Sequence, residues 1–206
     1  MRRRDFIAGL LVAATGRAQA QQPGKVYRIA VVYSAGSVDQ WIKARNSKGS
    51  PSWYFYEELG RLGFVDGQNL VVERHSGEGR EEHFAEVARD VVRTNPDLIV
   101  ALGGRMTLAF KAATTTVPIV ALTLDPVAYG IVPSLARPGS NITGVSANAG
   151  PELSGKYLEL LRNAIPGVSR VGFLASRQVW EQLPEGAATR AAARRAQVSL
   201  IGPTTR

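Results

Sequence analysis

The chain contains no cysteine. That excludes a disulfide framework, thiolate metal ligation and a cysteine nucleophile. Histidine is nearly as scarce. His75 and His83 are the two, eight residues apart with a turn between, and no metal-ligand partners accompany them. Long apolar runs are also missing. The run from Phe6 to Ala14 falls far short of the ~20 residues that a membrane-spanning helix needs. Enzyme signatures are absent too. No glycine-rich stretch ends in Gly-Lys-Ser/Thr, and no Gly-x-Ser-x-Gly elbow occurs. No Gly-x-Gly-x-x-Gly follows the first predicted strand, which argues against a dinucleotide site.

What is present is basic and globular. The 206 residues carry a net charge of +8, with 45% hydrophobic and 20% charged side chains. This is not a disordered tail. The length suits one large domain, or one and a half of typical size. The charge raises the question of nucleic acid or a membrane surface, but it splits into parts. Arg2, Arg3, Arg4 and Arg17 stand in a basic N-terminus that runs into the apolar stretch and then Ala18-Gln19-Ala20. This is the pattern of a secretory signal peptide cleaved near Ala20. Arg3-Arg4-Asp5-Phe6-Ile7 resembles a twin-arginine signal; the general export route is the alternative. Without residues 1–20 the net charge is +5. Residues 21–169 hold 15 basic and 14 acidic side chains, and residues 170–206 hold six arginines against Glu181 and Glu185. The body is therefore nearly neutral, with no basic stripe, and the remaining excess reads as a solvated helix face. Nucleic acid is not expected as a partner. The expected location is the periplasm, with no membrane span in the mature chain.

Hydrophobic periodicity gives the fold class. Short apolar runs at Val26–Tyr33, Asn69–His75, Leu98–Leu102, Ile119–Leu122, Ile142–Val145, Val171–Leu174 and Val198–Ile201 read as strands. Between them lie helical stripes. Trp53, Tyr56 and Leu59 form one, and Phe84, Val87, Ala88, Val91 and Val92 another. Met106, Ala109, Phe110 and Ala113 form a third, Leu153, Tyr157, Leu160 and Leu161 a fourth, and Ala187–Ala196 is alanine-rich. A short helical turn is expected around Asp39–Ala44. The alternation implies an α/β fold with βαβ units and a parallel sheet covered on both faces.

In such sheets ligands bind beyond the carboxyl ends of the strands. Those ends carry Ser34, the pair Gly103-Gly104 followed by Arg105, the segment Thr123 to Asp125, and Ser176 in a later unit. Free backbone N–H groups at Gly103-Gly104 would hold a carboxylate. Asp125 would pair with an ammonium, or else cap the turn before Pro126. Ser34 and Thr123 would add neutral hydrogen bonds. The set suits a small zwitterion such as an amino acid. In Trp53-Tyr54-Phe55-Tyr56 helical geometry sends one or two rings into the core and the others outward.

Several stretches carry a family resemblance. Leu59-Gly60-Arg61-Leu62-Gly63-Phe64-Val65-Asp66-Gly67-Gln68-Asn69-Leu70 is one, and Asn95-Pro96-Asp97-Leu98-Ile99 is a second. The run Gly130 to Gly144 and Glu152-Leu153-Ser154-Gly155-Lys156 continue it. Together they resemble the tryptophan/tyrosine-type substrate-binding proteins of ABC transporters, over about residues 26 to 176. The resemblance implies a periplasmic-binding-protein fold with Rossmann-like lobes, and no catalysis or cofactor. It implies a solute, amino-acid-like and possibly aromatic, held between the lobes by hinge closure. An ABC permease and its ATPase are the implied partners.

The implied first lobe is residues 24–145. Residues 146–206 would be a truncated second lobe, because similar proteins are longer; tight binding by this chain alone is then not expected. Two departures stand out: Arg105-Met106 follows the glycine pair, where Thr-Pro is common, and Gly36–Ser52 is longer than usual. Two other readings remain. One is an exported α/β hydrolase using Asp125 with His75 or His83, and the other is the ligand-sensing lobe of a signalling system.

Overall fold

The computed structural model describes residues 24–147 and 152–203. The export signal at residues 1–20 lies outside the described residues. The first unit runs β1 (Tyr27–Tyr33), α1 (Val38–Asn46), α2 (Pro51–Arg61), β2 (Leu70–Ser76), α3 (Phe84–Arg93), β3 (Leu98–Leu102), α4 (Gly104–Ala113), β4 (Ile119–Thr123) and β5 (Ile142–Ser146). A short 3-10 turn, Glu81–His83, leads into α3. The five strands form one sheet in the order β2-β1-β3-β4-β5, and every pairing is parallel. A second unit follows, with α5 (Glu152–Ala164), β6 (Arg170–Gly172), α6 (Arg177–Gln182), α7 (Pro184–Arg195) and β7 (Ser199–Ile201). Its two strands pair in parallel.

The period of two along β1 assigns its side chains to two cores. Ala30 and Val32 face α3 and α4, in a cluster with Phe84, Ala88, Val91, Ile99, Met106, Phe110 and Ile119. Ile29, Val31 and Tyr33 face the other way and bury with Leu70 and Val72 under Phe55, Tyr56 and Leu59 of α2. This is the two-faced burial expected of a parallel sheet. The second unit has a small core, a cluster in which Leu158, Ala192 and Ala193 are the buried members. Arg194 and Arg195 of α7 are exposed, as a solvated basic face requires.

Local signals explain the helix starts. Ser37 accepts the Gln40 N–H while the Gln40 side chain accepts the Ser37 N–H, a complete capping box. The short helical turn expected here is thus a nine-residue helix. Its Trp41 ring stacks on Tyr33 at 4.0 Å, which fastens the long Gly36–Ser52 segment to the end of β1. Ser50 caps α2, with Pro51 in the first turn. Phe55 and Tyr56 pack inward, Trp53 meets Tyr54 edge-on, and Tyr54 is exposed. Asp66 accepts from Arg45 at 2.8 Å and from Arg74 at 2.9 Å, tying α1 to β2. Burial pushes the Asp66 carboxyl up, but the two guanidiniums outweigh it and hold it below its ordinary value.

α6 has no counterpart in the sequence reading. Arg177–Gln182 is short and without apolar period, and its start is fixed by Ser176, whose Oγ accepts the Val179 N–H.

Candidate functional site

The strands end in register, and this builds the site. Tyr33 lies beside Leu102, Leu102 beside Leu122, and Thr123 beside Ser146. The Ser34 N–H donates to the Leu102 carbonyl at 3.1 Å, and the Gly103 N–H to the Leu122 carbonyl at 2.9 Å. In the order β2-β1-β3-β4-β5 the strand sequence switches direction across the sheet between β1 and β3, and a crevice opens at such a switch point. A cleft of about 450 Å³ lies there, lined by Ser34, Gly103, Gly104, Arg105 and Thr123 together with Glu81, Phe84 and Tyr129. That volume falls within the roughly 300–1,000 Å³ of small-molecule sites.

The glycine pair serves two purposes. Gly103 has a φ of 110°, and a Cβ on it would stand 2.6 Å from Ser34 Oγ. A Cβ on Gly104 would stand 2.7 Å from the Tyr129 ring. Both positions are thus closed to larger residues by packing. In addition, α4 begins here without a side-chain cap. The N–H groups of its first turn have no partner within the helix, so they are left for water or an anion.

Two further polar atoms lack partners. Thr123 is 4% exposed, and its Oγ1 is buried with no hydrogen bond. Arg105 Nε is buried likewise, and the guanidinium reaches Glu81 only at 3.8 Å. An orphaned buried group costs about 1–3 kcal/mol, so a bound ligand that satisfies these atoms recovers that cost.

Five of the seven residues expected from sequence therefore meet in one cleft: Ser34, Gly103, Gly104, Arg105 and Thr123. The other two are engaged elsewhere. Asp125 Oδ1 accepts the N–H groups of Val127 and Ala128 at 3.1 and 2.9 Å, the turn-capping alternative. Ser176 caps α6. His75 and His83, the bases considered for a hydrolase, do not line the cleft. Among the described residues no cluster of three or more histidine and acidic side chains could hold a metal ion.

Sequence reasoning missed Tyr129 and Glu185. Tyr129 follows β4, lays its ring on Gly104, and donates its hydroxyl to Glu185 Oε2 of α7 at 3.4 Å. Burial, and then the Glu185 carboxylate, push the Tyr129 phenol up to about 12 from an ordinary value of 10.0. A raised phenol favours the folded state fully below pH 10, and that contribution is lost as pH rises from 10 toward 12. An alkaline ultraviolet titration of wild type minus Tyr129→Phe should show a difference midpoint near 12. A midpoint near 10 would rule out the buried contact.

Residues 54–204 match the family model described as ABC transporter substrate binding protein. The chain belongs to that family. It is 29% identical over 121 residues to the tyrosine-binding protein of Clostridioides difficile, an alignment covering 58% of this chain and 34% of that protein. Among solved structures it resembles a conserved domain protein from Vibrio cholerae O1 biovar eltor, with a TM-score of 0.71 and 23% identity. It also resembles a Streptococcus pneumonia ABC domain in complex with L-Trp, with a TM-score of 0.65 and 22% identity. Both comparisons cover 88% of this chain and 58% of the other. The chain therefore spans little more than half the length of these solved relatives. The fold is the α/β architecture of periplasmic binding proteins, with the parallel five-stranded sheet as its described core. No described helix of this family member is long and apolar enough to cross a membrane.

Proposed function

We propose that this substrate-binding protein is the exported, periplasmic solute-receiving component of an ABC importer. It takes a small polar solute of the amino-acid class, aromatic ones included, in the cleft at the carboxyl edge of its sheet, and a permease with its ATPase receives the loaded form. The observation that carries this reading is the pairing of an uncapped α4 N-terminus with the orphaned Thr123 hydroxyl in one cleft. Both groups suit a carboxylate. Relatives named for tyrosine and bound to L-Trp support an amino acid as the class. Residues 24–145 form the first lobe, and the unit from residue 146 onward closes on it. Contacts made only in the closed state would shift the population toward closure.

The test is a nitrogen-proton correlation titration of the full chain with L-tyrosine, L-tryptophan and L-leucine, with a neutral sugar as control. This measurement detects millimolar as well as tighter binding. The expected result is saturable movement of the Gly103, Gly104 and Thr123 amides with an amino acid and none with the sugar. Equal responses to all four compounds, or none, would defeat the proposal.

A further inference from the structure

The polar groups of the cleft are unequally served. Arg105 lines it, yet none of the guanidinium's N–H donors makes a hydrogen bond among the described residues, and Nε is buried without a partner. Its ion-pair partner is Glu81, also a lining residue, at 3.8 Å, beyond hydrogen-bond reach. The two side chains are 38% and 35% exposed, and a pair so open to solvent adds little to stability. Arg105 can therefore exchange Glu81 for a better acceptor at little cost.

The place of Arg105 sharpens this demand. It is the second residue of α4, in a first turn that holds no acidic side chain. The partial positive charge of a helix N-terminus disfavours a cation there, and the fold gains no hydrogen bond from it in return. Charges that break a local rule in this way concentrate at functional sites. Arg105 Cα lies about 3.8 Å from that of Gly104 across one peptide, so the guanidinium and the free N–H groups of α4 stem from one turn at one cleft. The Thr123 hydroxyl there is likewise without a partner. The N–H groups and Thr123 are enough for one carboxylate. Arg105 is left over, and its planar fork suits a second.

We infer that Arg105 sets the charge class of the solute: it binds a second carboxylate, so the cleft prefers an acidic amino acid to a neutral or aromatic one. The inference rests on the solute-binding reading above. Glu81 is then an internal competitor, which holds Arg105 loosely until the solute's second carboxylate displaces it. A solute with a neutral side chain gives the guanidinium no charged acceptor and has to leave the Glu81 pair in place. Such a solute gains one anchored carboxylate, whereas an acidic one gains two.

The test compares L-glutamate with L-glutamine, which differ in side-chain charge and hardly in shape, in the same correlation titration of the full chain. Wild type should bind L-glutamate about tenfold more tightly, as a hydrogen bond between charged groups provides. Arg105→Gln should close that gap by weakening L-glutamate and leave L-glutamine nearly unchanged. Glu81→Gln, which removes the competitor, should widen it severalfold. A gap that is absent in wild type, undiminished in Arg105→Gln or not widened in Glu81→Gln overturns the inference while the solute-binding reading stands. Tighter binding of L-tyrosine than of L-glutamate by wild type overturns it in the same way. If no amino acid, L-glutamate included, moves any cleft amide, both fail together. Should Arg105→Gln not fold, the gap in Glu81→Gln decides.

Discussion

Gly103→Ala should lower the stability of the first unit by about 2–5 kcal/mol and abolish amino-acid binding in the cleft. Two separate costs add. The first is the backbone: a φ of 110° is foreign to residues with a Cβ and costs about 1–3 kcal/mol. The second is space. The new methyl would stand 2.6 Å from Ser34 Oγ and 2.9 Å from Ser34 Cβ. Ser34 has a short side chain held on the end of β1, so it cannot swing away as a lysine tip would. Relief requires β1 and β3 to part at their carboxyl ends, where the cleft is built. Urea unfolding would measure the loss. The double variant Ser34→Gly with Gly103→Ala separates the costs, because it removes the clash and keeps the backbone strain. A Gly103→Ala protein within about 0.5 kcal/mol of wild type, against the surface norm, would show that the turn tolerates a side chain.

Phe110→Ala should cost about 3–5 kcal/mol. Phe110 is 0% exposed and sits on α4 among Ile99, Met106 and Ile119, so its removal leaves a cavity that neighbours on two strands must fill. The rigid sheet beneath limits collapse, which places the cost toward the upper end of that range. Against a total of about 5–15 kcal/mol for a typical domain, such a loss would bring the fold close to its threshold. Denaturant titration followed by near-ultraviolet dichroism of the Tyr33–Trp41 stack reads this unit directly. A loss below about 1 kcal/mol would mean that α4 repacks freely and that the core is not close-packed around Phe110. Because α4 also presents its N-terminus to the cleft, the variant should lose ligand affinity along with stability.

The strands were legible in the sequence for a simple physical reason. A parallel strand buried on both faces must be short and apolar throughout, and Leu98–Leu102 meets that condition at every position. Strand ends then follow from polar and glycine residues, and this groups Ser34, Gly103 and Thr123, which share one cleft. Asp125 shows where this reasoning stops. Asp-Pro is both a turn former and an acid, and only backbone geometry decides that Oδ1 caps Val127 and Ala128. Tyr129 and Glu185 carry no local signal. Their meeting depends on how α7 approaches the loop after β4, a contact spanning 56 residues. α6 is not legible in the sequence, because a single Ser176 cap, with no apolar stripe, sets its start.

The disparity between the two cores has a consequence for the rate at which backbone amides meet solvent. The first unit closes over two clusters with side chains as large as Phe110 and Met106, whereas the second closes over Leu158 and two alanines. Regions with few buried apolar contacts open locally at low free energy. Amides of β6, β7 and α7 should therefore exchange by partial opening, while those at the centre of β1 wait for the whole domain to unfold. Glu185 stands on the readily opened side and Thr123 on the other. Under the proposed solute-binding role, a ligand held between the two units would tie an easily opened element to a rigid one, and part of its binding energy would go into order that the free chain does not keep.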